Sequence, residues 1–287
     1  MDPLAWSGAE RSALPGAVSA PTETSPQLAR SIEHVLRRLG TGLLFAVFGL
    51  GSVAVACVAF PLLAIRKRGA ERELAAQRLI HRSMAAFIGL GTALGLFAVR
   101  ERGTERLRRG AGLVLATHPT LLDVVFLISR MPQADCIVKA EAWRNPFLRS
   151  IVSAAGYIPN TGGPSVIEAC AERLRAGRSV IVFPEGTRSP AKGFGRFKRG
   201  AAHIALRSGG AVTPVWIQCE PSALRKDQPW WDMPNQKLRY TLDVGEPLSV
   251  EALTGGAREQ SPVLAARAFT QALLAYFEAK VADARAR

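Results

Sequence analysis

Paired cysteines are missing from this chain. Its four cysteines, Cys57, Cys136, Cys170 and Cys219, are scattered, with no C-x-x-C and no metal-like spacing to the histidines. That excludes a disulfide framework and a zinc site, and reads as reduced thiols in a protein facing the cytosol. H-E-x-x-H and G-x-S-x-G are also absent, so neither a zinc protease nor a serine elbow is expected. No internal repeat is visible. The first 30 residues are rich in Pro and Ser with few positive charges, and the first long apolar run begins too late for a leader and lacks a small-residue cleavage site. A cleaved secretory leader is therefore not expected, and residues 1–30 read as a disordered leader.

Charge is lacking altogether from Gly40 to Ile65, 26 positions that would reach roughly 39 Å as a helix. A hydrocarbon core is about 30 Å thick, so this run is long enough to span it. A second uncharged run, Ser83–Val99, has 17 residues and would reach roughly 26 Å, enough for a partner helix or a re-entrant segment. Gly49, Gly51, Gly91 and Gly95 would let two such helices approach closely. A membrane-anchoring helical hairpin over residues 31–99 is the expected arrangement, and a buried soluble helix pair is the alternative.

Acidic residues are outnumbered, 23 against 37 Lys and Arg, for a net charge of +14. The excess is clustered: residues 66–82 carry +4, residues 100–109 carry +3, and residues 188–199 carry five basic residues and no acid. From charge alone, a nucleic-acid binder or a membrane scaffold stays open. Arg37 and Arg38 before the long run, and Arg66, Lys67 and Arg68 after it, instead suit anionic lipid head groups, each contributing about 1 kcal/mol. The expected partner is thus a lipid bilayer and not nucleic acid, with the rest of the chain on the cytoplasmic side of the inner membrane.

Beyond Arg109 short apolar runs alternate with helical stretches, the pattern of an α/β domain. Strands are expected at 113–116, 136–138, 157–158, 180–183, 212–217 and 238–244. Helices are expected at 119–129, 145–155, 164–176, 199–208 and 262–281. Ser261-Pro262 supplies an N-cap and a first-turn proline for the last helix, and Ala266, Phe269, Leu273 and Phe277 share one of its faces.

Two strings carry the chemistry. In "LATHPTLLDVV", His118 stands five positions before Asp123. With four His and seven Asp in the chain, about 0.1 such pairs arise by chance, so the spacing alone does not decide between a catalytic couple and two polar residues at a strand end. Five residues apart within one helix they would point about 140° from each other. With Pro119 at N1 and His118 as an extended N-cap, the ring is expected to turn back toward Asp123. A histidine held at Nδ1 by a carboxylate presents Nε2 as a base. Lacking a serine elbow, it would act on a substrate hydroxyl, in a group transfer. In "VFPEGTRS", Glu185, Gly186 and Thr187 form a tight turn, and Arg188 offers a planar fork suited to phosphate. Lys192, Arg196, Lys198 and Arg199 then lead into a helix N-terminus at Gly200, a favourable place for an anion. A solvated surface loop is the alternative.

On these residues the chain resembles the glycerolipid acyltransferases of the 1-acylglycerol-3-phosphate O-acyltransferase family, over roughly residues 100–250. "HPTLLD" is similar to the family's H-x4-D block, which implies that His118 is the base and Asp123 the orienting acid. "FPEGTRS" resembles the acceptor-binding block, pointing to Glu185, Gly186, Thr187 and Arg188, with Lys198 beside them. "AVTPVWI" resembles the proline-containing block, and Lys139 stands where relatives often carry a lysine. Two positions depart: Thr117 stands where many relatives have asparagine, and Asn160 ends the block that usually closes on a phosphate-binding arginine. The resemblance implies a mixed, mostly parallel sheet flanked by helices in an acyltransferase domain over 100–287, behind the N-terminal hairpin. It also implies acyl-CoA or acyl carrier protein as co-substrate, with no cofactor and no metal, and a lysophospholipid acceptor. Lysophosphatidic acid is the expected acceptor; the charge lost at Asn160 favours another lysophospholipid, an aminolipid or a hydroxylated metabolite.

Overall fold

The long uncharged run forms one helical stretch in the computed structural model, which describes residues 26–286 apart from 109, 227, 229–233 and 235. Most of the expected leader, residues 1–25, lies outside the described residues. Helix α1 (Pro26–Ala54) continues through a π turn, Val55–Ala59, into α2 (Phe60–Arg66). The wider turn comes just before Pro61, whose ring lacks an N–H to continue the regular ladder. Lys67 and Arg68 are extended, and α3 (Gly69–Ala93) folds back along α1. Phe45 and Phe48 of α1 meet Phe87 of α3 edge-on at 6.2 and 4.9 Å, an arrangement that suits the ring quadrupoles.

The second uncharged run is not a second span. Its helix stops at Ala93, and after a turn at Gly95 with φ +70° the chain enters strand β1 (Phe97–Arg102). Ser31–Arg66 is the one stretch among the described residues long and apolar enough to cross a membrane. Of the four glycines expected to bring helices together, Gly91 does so: a Cβ there would lie 2.3 Å from the Phe97 ring and 3.3 Å from Leu44. Gly49 and Gly51 have nothing within 4 Å.

The α/β region follows in the expected rhythm. Short α4 (Glu105–Arg108) precedes β2 (Leu113–Ala116), α5 (Asp123–Ile128), β3 (Asp135–Lys139), α6 (Ala140–Arg144), α7 (Pro146–Ala154) and β4 (Ile158–Asn160). Then come α8 (Gly163–Arg175), β5 (Val180–Val182), α9 (Gly200–Ser208), β6 (Val212–Glu220), β7 (Leu238–Val244), α10 (Val250–Thr254), α11 (Ala257–Gln260) and α12 (Pro262–Arg285). The sheet order is β1-β7-β6-β2-β5-β3-β4, and every neighbouring pair is parallel except β6 with β7. The expected mixed, mostly parallel sheet is therefore present. β1, an edge strand carrying Arg100, Glu101 and Arg102, was hidden in what read as a charged cluster. It runs across the expected domain boundary at residues 99 and 100.

Alternation along the strands builds two cores. On β2, Val114 and Ala116 pack with α1, α3 and α5, while Leu113 and Leu115 pack with α9 and α12, as a period of two requires. Ala266, Phe269, Leu273 and Phe277 of α12 are all buried in the second core, and the Ser261 side chain accepts from the Val263 N–H at the helix start.

At the amino ends of the strands a polar network ties α3 to the sheet. Arg178 donates to Glu73 and Asp135, both at 2.7 Å, and Arg173 donates to Glu73 at 2.6 Å. Gln77 donates to Asp135 at 2.9 Å and to the Ala155 carbonyl at 2.8 Å. Gly156, at φ +64°, leaves room for Glu73, whose Cδ would lie 2.3 Å from a Cβ there. Asp135 is fully buried, so removing its cation strands a carboxylate. Arg178→Leu is expected to destabilise the chain by about 3 kcal/mol, read as a lowered Tm in detergent.

Candidate active site

Parallel strands joined by crossovers bring their carboxyl ends to one edge of a sheet, where loops meet. Here that edge gathers His118 after β2, residues 183–189 after β5, Lys139 at the end of β3 and Asn160 at the end of β4. Thr117 sets the exit from β2. Its N–H reaches the Val215 carbonyl at 3.1 Å, and its buried hydroxyl donates to the Ile217 carbonyl at 3.2 Å while accepting from the Ile217 N–H at 2.8 Å. The chain leaving β2 is thus fastened to β6 immediately before the histidine.

His118 Nδ1 lies 2.8 Å from Asp123 Oδ2. The route to that contact differs from the expected one. Pro119 does not open a helix: residues 119–122 form an irregular turn, α5 begins at Asp123, and the N-cap position belongs to Leu122. The turn is held by Asp123 itself, which accepts from the Thr120 N–H and from the Thr120 hydroxyl, both at 2.6 Å. His118 also stacks on Phe183, with ring centres 4.1 Å apart and planes 21° from parallel, and its carbonyl accepts from the Ser189 N–H at 2.7 Å. Nδ1 is thereby committed to Asp123, and Nε2 has no hydrogen-bond partner among the described residues.

Asp123 has no exposed surface. Burial pushes its carboxyl above the ordinary aspartate range, opposed by the hydrogen bonds from His118 and Thr120. The carboxylate form is therefore the costly one, and it persists because three donors converge on it.

The second loop is organised from within. Glu185, 3% exposed, accepts from the Ser189 hydroxyl and, at 2.7 Å, from the Gly195 N–H. Gly186 takes φ +65°, and a side chain there would run into Lys198, whose Nζ would be 2.8 Å away. Lys198 is anchored by its own N–H to the Pro184 carbonyl at 2.8 Å, so its ammonium sits over the turn. Arg188 donates to the Leu224 and Arg225 carbonyls at 2.9 and 2.8 Å, and the Leu121 N–H joins the same Leu224 carbonyl at 3.0 Å. Thr187 is exposed, as are Lys192, Arg196 and Arg199.

The structure therefore brings His118, Asp123, Glu185, Gly186, Arg188 and Lys198 into one bonded set. Lys139 and Asn160 stand apart, paired with each other across β3 and β4 and both exposed, with β5 between them and β2. Thr120 belongs to the site and was missed, although its T-x-x-D spacing to Asp123 is a capping-box signal. Phe183 and Ser189 were missed as well.

A carboxyl with a raised folded value holds its proton more tightly in the folded chain. Stability therefore falls as pH rises from the ordinary aspartate value of 3.8 through the folded one. Asp123→Asn removes that titration, so its Tm relative to the native chain should climb over this window. The gain is roughly 1.4 kcal/mol for each unit of elevation. Thermal melts in detergent at several pH values check this, and a difference constant with pH contradicts it.

A family model described as acyltransferase matches residues 98–218. A 1-acyl-sn-glycerol-3-phosphate acyltransferase of Helicobacter pylori is 36% identical over 113 residues, covering 37% of this chain and 48% of that protein. A lyso-ornithine lipid O-acyltransferase of Brucella abortus is 29% identical over 134 residues, covering 42% of this chain and 50% of that protein. The match thus spans about half the length of these curated relatives. The crystal structure of the 1-acyl-sn-glycerophosphate acyltransferase from Thermotoga maritima shares the fold, with a TM-score of 0.59 at 21% identity over 84% of this chain and 97% of that one. The matched stretch holds β1 through most of β6, including the H-x4-D turn and the 183–199 loop, and over it the chain is similar to the acyltransferase family.

Proposed function

We propose that this is a membrane-bound O-acyltransferase that moves a fatty acyl group from acyl-CoA or acyl carrier protein to the hydroxyl of 1-acylglycerol-3-phosphate, giving phosphatidic acid for phospholipid synthesis. The observation that carries the reading is a histidine whose Nδ1 is held by a buried carboxylate while Nε2 is left unengaged, in a chain without a serine elbow. His118 takes the proton of the acceptor hydroxyl, and the oxygen attacks the thioester carbonyl. The tetrahedral intermediate then expels the thiolate, which recovers the proton from the imidazolium. Asp123 stabilises that imidazolium and holds the ring in place. Lys198, and Arg188 behind it, supply positive charge for the acceptor phosphate, with Lys139 and Asn160 at the far side of the edge. No cofactor is needed beyond the thioester.

Eleven large apolar side chains between Ile32 and Ile65 are exposed, an unpartnered face that supports anchoring in the inner membrane, with the catalytic domain facing the cytoplasm. An apolar cavity of about 390 Å³ between α1 and α3, lined by Phe48, Gly51, Met84 and Phe87 among others, is suited to an acyl tail. A second reading keeps the chemistry and changes the acceptor to a lyso-aminolipid. Asn160 in place of a phosphate-binding arginine favours it, as does the likeness to a lyso-ornithine lipid O-acyltransferase.

Purified full-length chain, assayed with acyl-CoA and acyl carrier protein against a panel of lysolipids, decides between them. Transfer to lysophosphatidic acid is expected; transfer confined to an aminolipid installs the second reading. His118→Ala should lose on the order of a thousandfold in kcat while keeping its fold, and unchanged transfer removes the base. Leu36→Glu combined with Leu43→Glu should lower the fraction of chain that floats with anionic vesicles.

A further inference from the structure

Asp123 can hold His118 in only one way if both of its oxygens are already committed, and the donors that commit them lie outside the H-x4-D pair. Oδ2 receives His118 Nδ1 at 2.8 Å and the Thr120 N–H at 2.6 Å, while Oδ1 receives the Thr120 hydroxyl at 2.6 Å. A carboxylate can only accept, and a threonine hydroxyl has a single hydrogen. That hydrogen therefore points at Asp123, and the contact of 3.1 Å between Thr120 Oγ1 and Tyr240 Oη has the tyrosine as donor. The Leu122 N–H, at 3.2 Å, fills the other lone pair of the same hydroxyl. The donors run one way, from Tyr240 through Thr120 to Asp123, and each bond in such a chain polarises the next.

We infer that Thr120 and Tyr240 are positioning residues for the His118–Asp123 couple, Tyr240 orienting the Thr120 hydroxyl and Thr120 fixing which carboxylate oxygen faces the imidazole. Both are 1% exposed, so no water substitutes for either hydroxyl. The phenol is also kept from swinging away: its ring lies 4.1 Å from Phe126 of α5 and 6.1 Å from Phe97 of β1. Burial holds the Tyr240 hydroxyl well above the ordinary tyrosine range, which keeps its hydrogen available as a donor. Tyr240 stands opposite Cys219 in the antiparallel pair of β6 and β7. β7, which with β1 runs against the other five strands, thus delivers the last member of the chain of donors. If Oδ1 lost its donor, the carboxylate would be left fully buried with one oxygen unsatisfied, and rotation to share the remaining donors would loosen the hold on Nδ1.

The kinetic part of the test rests on the acyl-transfer reading; the spectroscopic part does not. Thr120→Val, Thr120→Ser and Tyr240→Phe are compared with the native full-length chain in detergent. Steady-state kinetics are read together with the ¹⁵N shifts of labelled histidine, the His118 signal being assigned by its loss in His118→Ala. In the native chain the Nδ1-protonated tautomer should dominate. Thr120→Val should lower kcat on the order of tenfold with KM for both substrates little changed, and should give a mixed tautomer. Thr120→Ser, which keeps the hydroxyl, should restore both readouts, and Tyr240→Phe should fall between. Equal losses in the valine and serine variants, or a native tautomer in Thr120→Val, overturn the inference. Should the valine variant fail to fold, Tyr240→Phe decides, because its ring packing is kept: an unmoved tautomer overturns the inference and a mixed one supports it. A native chain that transfers no acyl group defeats the functional reading, while the tautomer comparison still decides the positioning role.

Discussion

A carboxylate with no exposed surface is the constraint on which the site depends. Asp123 is costly to keep charged where it lies, and the local chain is arranged to offset that cost: Thr120 turns both its N–H and its hydroxyl onto it, and His118 supplies the third donor. These requirements explain why residues 119–122 do not become the first turn of a helix. A regular helix starting at Pro119 would carry the Thr120 N–H and hydroxyl away from Asp123 and leave the histidine facing elsewhere. The irregular turn is the conformation that satisfies the carboxylate, and the direction of the imidazole follows from it.

The two edges of the sheet divide the work. At the carboxyl ends the loops after β2 and β5 close on one another through backbone bonds, Ser189 to His118 and Leu121 to Leu224, with Arg188 clasping the 224–225 carbonyls. At the amino ends the Glu73, Arg173, Arg178, Asp135 and Gln77 network binds α3 to the sheet. Since α3 also packs against α1, α1 and the sheet that carries the candidate site share one continuous core. A long apolar helix with an exposed face is thereby joined through packed side chains to the sheet whose carboxyl edge carries His118.

Much of this was legible in the chain itself. The alternation of short apolar runs and helical stretches located six of the seven strands, and the seventh, β1, was masked by Arg100, Glu101 and Arg102, which an edge strand tolerates because one side faces solvent. The apolar helical run over residues 40–65 was plain from its missing charge. The second apolar run misled, because hydropathy does not distinguish a helix followed by a buried strand start from a longer helix. Among site residues, His118 and Asp123 were marked by their place at a strand end beside Pro119 and by the H-x4-D resemblance, not by spacing alone, and Arg188 and Lys198 by charge, yet the carbonyls that Arg188 holds belong to a loop 36 residues further on.

What the sequence by itself determined is whatever a local period or a local hydrogen bond can encode: the strand and helix rhythm, the apolar helix, the His-Asp spacing, and the T-x-x-D contact that was there to be read. Tertiary structure alone decided which distant residues became neighbours. Tyr240 reaches Thr120 from 120 positions away, and Glu73 meets Arg173 across 100. No periodicity records such meetings, because they depend on the order in which strands join the sheet, and that order is set by the burial of both faces at once.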